Sequence, residues 1–600
     1  MFTFHFSNNR IAKTVLGQGF DWIDLATYVL GKRCMKSLFK AFIILVASIS
    51  TCTAQQVSPE DSIYLIQDSI MIPTKSGVDI FAILVRKKAN NLPLPAVLFY
   101  TTYYQGPGDS FFGKMSADKD YVGVIAYARG IHTNLNNYAP YEHEGTDIYD
   151  IIDWISKQGW CDGKVGMFEG SYTGFSQWAT AKHLHPALKT IVPQVAVMPG
   201  FDAPMENNVP FSNVLGWAND NIYKNKPYKR ELVFDWFENG SSFRSMDSLG
   251  GQPNPIFQKW LAHPAYDSYW QSMTPTPEEY AKINIPVLST TGYYDGSQIS
   301  ALQYFKLHTK YNKNANHYFV IGPYDHFGGR GRATANLMGY NIDPIAMVNM
   351  RDLAFAWLDY ILKGKAKPEL LKDKVNYQVM GANEWKHVPS LDKMNNDTLM
   401  FYLNTLKLKD NYLLTKNKPK ADDFVLQKVD FKDRETQNNF YTPAIIFDTL
   451  DVSNGLVFTT EPFEHELAIN GSFTGNLVAT INKKDMDVSL ALYEIMPNGK
   501  YFFLTRYVGR ASYAKDPTKR YLLKPGKLEQ ISFSNTRFVS KKISKGSRLA
   551  VFLNVNKHPF EIINYGSGKE VSDETIADAG EPLQIKWHNG SYIRIPVWKD

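Results

Sequence analysis

The sequence predicts a chain that is α/β in its first part and all-β in its last, and three observations carry this. Short apolar runs alternate with helical periods up to about residue 200 and again over 281–367, which argues for a mostly parallel sheet with helices on both faces. A stretch rich in Asn, Pro, Trp and Tyr, with no strand signal, interrupts that rhythm over 201–280 and reads as a helical insertion. Beyond 368, short runs dense in Val, Ile, Phe, Tyr and Thr are divided by turns such as Asn498-Gly499, the pattern of an antiparallel sandwich.

The individual elements follow from the same periods. Residues 80–85, 96–100, 122–127, 165–168 and 191–197 read as strands. Ile148, Ile151, Ile152 and Ile155 recur at helical spacing, so 145–158 is an amphipathic helix, and 172–183 is the next. The sheet pattern resumes at 285–291 and 317–321, with helices at 300–311 between them and at 350–362 closing the region. In the last part, 489–493 and 501–507 are the clearest strands. No internal repeat or low-complexity linker appears.

At 600 residues the chain exceeds what one hydrophobic core organises. An apolar share of 44% and a charged share of 21% are ordinary for a globular protein, while 14% aromatics is high. The net charge of +6 shows no basic stripe, so nucleic acid is not expected as a partner. Residues 35–40 are short and basic, 41–49 are small and apolar, and Cys52-Thr53-Ala54 offers small residues for cleavage. Residues 35–54 are therefore read as a signal peptide and 1–34 as an upstream extension, with an exported chain, periplasmic or extracellular, as the product. The apolar run is too short for a membrane span in the mature chain. Thr51 fits poorly before a lipid-anchored Cys52. Cys161 then remains as a lone thiol with no internal disulfide. No Cys/His cluster has zinc spacing, and neither a metal nor another cofactor is expected.

Glu169-Gly170-Ser171-Tyr172-Thr173-Gly174 lies between an expected strand and an expected helix. A serine held on that sharp turn exposes its Oγ above the sheet beside a helix N-terminus, and the N–H of Tyr172 is placed as an oxyanion donor. Such a serine needs a base, and the base needs a carboxylate, each on a loop after a later strand. Asp295 follows the strand 285–291, and His326 follows 317–321. Of 13 histidines only His326 stands just past a late sheet strand, while Asp325 beside it reads as a loop residue. The residues thus point to a serine hydrolase with Ser171 as nucleophile, Asp295 as orienting acid and His326 as base.

Together these stretches resemble the family of cocaine esterase, α-amino acid ester hydrolase, glutaryl-cephalosporin acylase and X-prolyl dipeptidyl peptidase. The likeness rests on Gly163-Lys164-Val165-Gly166-Met167 with Gly170-Ser171-Tyr172, on Gly292-Tyr293-Tyr294-Asp295, and on Gly322-Pro323-Tyr324-Asp325-His326. Ala128-Arg129-Gly130, Tyr149-Asp150, Asp153-Trp154-Ile155 and His263-Pro264-Ala265-Tyr266-Asp267 add to it. The resemblance implies an α/β-hydrolase domain (58–200 and 281–367), an inserted helical cap (201–280) and a C-terminal all-β jelly-roll domain (368–600). It also implies a second oxyanion donor, a tyrosine hydroxyl after an early strand, which an ungapped reading puts at Tyr104 and a one-residue slip puts at Tyr103.

Two positions depart from the family. Glu169 stands where glycine is usual and reads first as a structural salt bridge and second as a candidate contact for a substrate amine, with Asp202 and Glu206 as further carboxylates. Ser297 and Gln298 occupy positions where the α-amino acid ester hydrolases keep acidic residues for an ammonium group. Trp217, Trp236, Trp260, Tyr266 and Trp270 of the insertion are expected over Ser171, with Trp270 as a substrate contact. The expected activity is hydrolysis of a small ester, acyl-amide or short peptide through an acyl-serine. An X-Pro dipeptidyl peptidase is the first alternative. A non-catalytic protein binding carbohydrate or a partner through the jelly roll is the second. A homo-oligomer is compatible with everything above.

Overall fold

The computed structural model describes residues 63–103, 107–222, 228–420, 422–438 and 444–599. The expected extension and signal peptide, and Tyr104, lie outside the described residues. The first sheet has ten strands among the described residues. In chain order these are β1 (Tyr64–Pro73), β2 (Asp79–Lys87), β3 (Leu94–Thr101), β4 (Val122–Tyr127), β5 (Cys161–Gly170), β6 (Leu188–Gln194), β7 (Val287–Gly292), β8 (His317–Gly322), β9 (Val375–Val379) and β10 (Glu384–Val388). In space they run β1-β2-β4-β3-β5-β6-β7-β8-β9-β10. Pairing is parallel from β4 through β9 and antiparallel at both ends.

The central strands are buried on both faces, which is why β4 reads as an unbroken Val-Gly-Val-Ile-Ala-Tyr rather than an alternation. Side chains still alternate in direction. After α1 (Phe111–Asp118), the helices α2 (Glu144–Ser156) and α3 (Tyr172–Ala181) cover one face, where Met167 of β5 and Ile191 of β6 enter the core. Their neighbours Phe168 and Val192 enter the core on the other face, under the helix Met350–Lys363. The isoleucines 148, 151, 152 and 155 are all buried, as their spacing requires.

Three features differ from the sequence reading. β1 is an edge strand, mostly exposed, with a bulge between Gln67 and Ile70, so no clean period of two marks it. The insertion contains a small hairpin, Met205–Glu206 with Val209–Pro210, turned by Asn207 (φ 48°) and Asn208 (φ 66°). The sheet also runs on past 367, where the change of composition sets the expected boundary. β9 is wholly buried and pairs in parallel with β8.

Between β6 and β7 the chain is mainly helical, with helices at Asn213–Ile222, Leu232–Asn239, Pro255–Leu261 and Pro277–Lys282. From Asp397 to Trp598 it forms a β-sandwich of fourteen strands among the described residues, largely antiparallel, around Leu477, Leu490, Leu504, Val551, Ile585 and Ile593. The hairpin of the insertion is fastened to this sandwich by the Asn207 amide, which donates to Val508 O (2.8 Å), and by Ile562 N to Pro210 O (3.0 Å). No helix among the described residues is long and apolar enough to cross a membrane.

Candidate active site

β5 ends at Gly170 and α3 begins at Tyr172, so Ser171 is the whole turn between them. Its backbone sits at φ 64° and ψ −126°, and Glu169 two residues earlier has φ 101°. Side-chain-bearing residues avoid this region, and the strain persists only because the surroundings fix it. The Ser171 N–H is shared between Gln194 O (3.1 Å) and Val195 O (3.2 Å). A Cβ on Gly170 would lie 2.7 Å from Val195 Cγ2 and 2.8 Å from Gln194 O, so only glycine fits there.

The loops that carry Asp295 and His326 leave adjacent parallel strands, β7 and β8. They are joined by Tyr293 N to Gly322 O (2.8 Å) and Tyr294 N to Tyr324 O (3.0 Å). At their tips His326 Nδ1 meets Asp295 Oδ1 at 2.8 Å. A carboxylate there makes Nδ1 the donor and leaves Nε2 to accept a proton. Asp295 Oδ1 also accepts from Ser297 N (3.0 Å), and Oδ2 accepts from the Thr291 hydroxyl (2.7 Å). Burial pushes the Asp295 carboxyl up, but the facing imidazole and these hydrogen bonds outweigh it and hold the group below the usual range. Asp325 accepts from the amides of Phe327 and Gly328 and shapes the loop, as its position suggests.

On the other side of Ser171 stands Tyr103. The Trp217 indole donates to its phenol oxygen (3.1 Å), and the Ser171 hydroxyl is a hydrogen-bonding neighbour. Indole N–H only donates, so the phenol proton stays available to point elsewhere. Burial, opposed by those hydrogen bonds, raises the Tyr103 pKa, and the phenol is protonated at neutral pH. The N–H of Tyr172 is the first of its helix and has no acceptor within it. The Tyr172 ring is buried, and its hydroxyl donates to Glu144. Glu144 is pushed up to about 7 by burial, against hydrogen bonds from Tyr172 and the Tyr141 amide.

Ser171 opens into a cavity of about 570 Å³. Trp217 and Trp260 line it, as expected, together with Tyr103, Tyr141, Phe234 and Phe560. Phe234 of the insertion and Phe560 of the sandwich meet edge to face, with centroids 5.9 Å apart. Trp236, Tyr266 and Trp270 do not line it. Trp270 is 0% exposed, donates to His263 O (2.8 Å) and packs on Gly200, so the substrate contact expected of it is corrected to a core position. Of the two readings of Glu169 the salt bridge holds, and the substrate contact is corrected. Its carboxylate is buried beneath the elbow in an ion pair with Arg330 (3.2 Å) and stays out of the cavity. Glu206 is committed to Arg537 (2.5 Å). Asp202 does line the cavity. Met198 N donates to its Oδ1 (2.7 Å), while Oδ2 has no partner of ordinary geometry, with the Ser300 hydroxyl nearby. Burial raises Asp202 to about 7. Arg506, Arg537 and Phe560 come from the sandwich, hundreds of residues from Ser171, and no local pattern announces them.

Residues 76–328 match the family model of the X-Pro dipeptidyl-peptidase S15 family, and 371–575 match that of the X-Pro dipeptidyl-peptidase C-terminal non-catalytic domain. Cocaine esterase of Rhodococcus sp. is 24% identical over 585 residues, covering 90% of this chain and 100% of that relative. Two solved structures share the fold. An aminopeptidase from a Thaumarchaeota archaeon has a TM-score of 0.76 at 20% identity, covering 89% of this chain and 96% of its own. An α-amino acid ester hydrolase has a TM-score of 0.73 at 20% identity, covering 94% and 100%. With a serine on a strained turn between strand and helix, this chain is a serine hydrolase and belongs to the cocaine esterase and X-prolyl dipeptidyl peptidase family.

Proposed function

We propose that the protein is an exported acyl hydrolase that cleaves an ester or amide through an acyl-Ser171 intermediate, with His326 as base and Asp295 as its orienting acid. The observation that carries this is the 2.8 Å contact of His326 Nδ1 with Asp295 on loops from neighbouring strands, beside the strained elbow that holds Ser171. In this reading Nε2 of His326 takes the Ser171 proton as Oγ attacks the carbonyl carbon. The Tyr103 phenol and the Tyr172 N–H stabilise the oxyanion. His326 then protonates the leaving alcohol or amine, and a water activated by the same nitrogen attacks the acyl-serine and releases the acid. A fluorophosphonate probe tests this directly: the wild-type chain should be labelled at Ser171, and Ser171→Ala should not be labelled. Labelling elsewhere, or unimpaired turnover by Ser171→Ala, would sink the assignment.

The aromatic wall favours an apolar or aromatic acyl group. Esters and N-acyl amides without a free amine should be turned over at least as well as Gly-Pro amides. One observation favours a second reading, a peptidase that holds a substrate ammonium: Asp202 lines the cavity, and its buried Oδ2 has no partner of ordinary geometry. A large preference in kcat/KM for a Gly-Pro amide over its N-acetylated form, lost in Asp202→Asn, would establish that reading instead. Export rests on residues 35–54. The N-terminus of the protein from its host should begin near Gln55, and a cytoplasmic chain retaining Met1 would refute it.

A further inference from the structure

The acid loop is not held by its own domain alone. Arg537 is on the sandwich, just before the strand Phe538–Ile543, and its side chain is 7% exposed. Its Nη1 donates to Asp295 O (2.6 Å) and to Gly296 O (2.9 Å), while Nη2 donates to Glu206 (2.5 Å). The neighbouring main chain grips the same loop. Gln298 accepts from Phe538 N (2.5 Å) and donates to Phe538 O (2.8 Å), and the Tyr293 ring stacks on Phe538.

These bonds bear on Asp295 through the planarity of one peptide. The Gly296 carbonyl and the Ser297 N–H belong to the same rigid unit. Fixing that carbonyl therefore fixes the N–H that donates to Asp295 Oδ1, the oxygen that also faces His326. Gly296 provides no restraint of its own, since even a Cβ there would touch nothing within 4 Å. The planar guanidinium fork spans two carbonyls and a carboxylate at once, which an ammonium does not.

We propose that Arg537 is a positioning residue for the catalytic acid, so that the C-terminal domain of this family, described as non-catalytic, completes the geometry of the active site in this chain. The inference rests on the assignment of Asp295 as orienting acid made above.

The test is a double-mutant cycle on the full chain with p-nitrophenyl butyrate, the active sites being counted by fluorophosphonate titration. Arg537→Gln should lower kcat about 10²-fold, the scale of a small misplacement transmitted to the reacting groups, with KM changed less than about threefold. In an Asp295→Asn background the same substitution should cost almost nothing more, because the residue it acts through is already disabled. A brace that serves only the fold would cost the same factor in both backgrounds, and that result would overturn the proposal. So would a rise in KM at unchanged kcat, which would make Arg537 a substrate contact. Arg537→Lys keeps the charge beside Glu206 and is the second variant. It should fold and still lose at least about tenfold in kcat. Full activity of the lysine variant, or failure of both variants to fold, would refute a positioning role. If Asp295→Asn alone retained normal turnover, the assignment of the triad would fall, a result distinct from any of these.

Discussion

Ser171, Asp295 and His326 are separated by up to 155 positions in sequence, yet each sits at the C-terminal end of a strand or one loop beyond it, where an open α/β sheet presents its functional groups. Ser171→Ala and His326→Ala should each lower kcat by several orders of magnitude with the fold retained, as circular dichroism would verify. Asp295→Asn should be severely impaired too, since the imidazole loses its fixed tautomer. Tyr103→Phe should cost roughly 2–4 kcal/mol of transition-state stabilisation, mainly in kcat, and an unchanged kcat would remove Tyr103 from the oxyanion role. Asp202 gives a pH test. Its carboxyl, raised to about 7 by burial, is neutral below that pH and negative above it. If it binds an ammonium group, KM for a Gly-Pro amide should fall as pH rises through about 7, and Asp202→Asn should flatten the profile. These roles differ in how far the sequence reveals them. Chain order and loop placement point to Asp295 and His326 because parallel topology converts sequence order into spatial order. An ungapped count puts the second donor at Tyr104 and a one-residue slip puts it at Tyr103, because counting does not register the direction of a side chain on a loop, which packing sets, for Tyr103 against Trp217. Trp270 misleads for a related reason: a large aromatic in a cap is as readily a floor beam as a wall.

The element with least tolerance is the β5–α3 turn. Gly170→Ala forces a methyl group to 2.7 Å from Val195 and 2.8 Å from a main-chain oxygen. The expected cost is about 1–3 kcal/mol of stability, read from denaturant midpoints, with a loss of kcat as Ser171 is displaced. Buried elements such as β4 and α2 are legible because burial on two faces, or on one stripe, leaves an unbroken run or a period of 3.6. β1 and the 205–210 hairpin are not, for one is a bulged edge and the other is two residues per strand, too short to show a period. β9 and β10 look like part of the sandwich because their composition is shared with it. Only hydrogen bonding to β8 shows which sheet they extend.

Across the whole molecule the insertion and the first sheet are both fastened to the sandwich. Ser212 N donates to Phe560 O (3.0 Å), Arg244 pairs with Asp573 (2.5 Å), and Met380 N, just past β9, donates to Ser540 O (3.1 Å). Independent domain motion is the default for loosely joined domains, and this interface argues against it. Calorimetry should show one cooperative transition rather than two, and a separate early unfolding of the sandwich would contradict that. The contact of Phe234 with Phe560 has a further consequence. Two rings carried by different parts of the chain set the width of the cavity at that end, so trimming one ring alone leaves the other free to lean into the gap. Widening the range of accepted acids toward bulky, branched ones should therefore require both rings to be cut back together, and a library randomising positions 234 and 560 as a pair should yield broadened variants that neither single-site library contains.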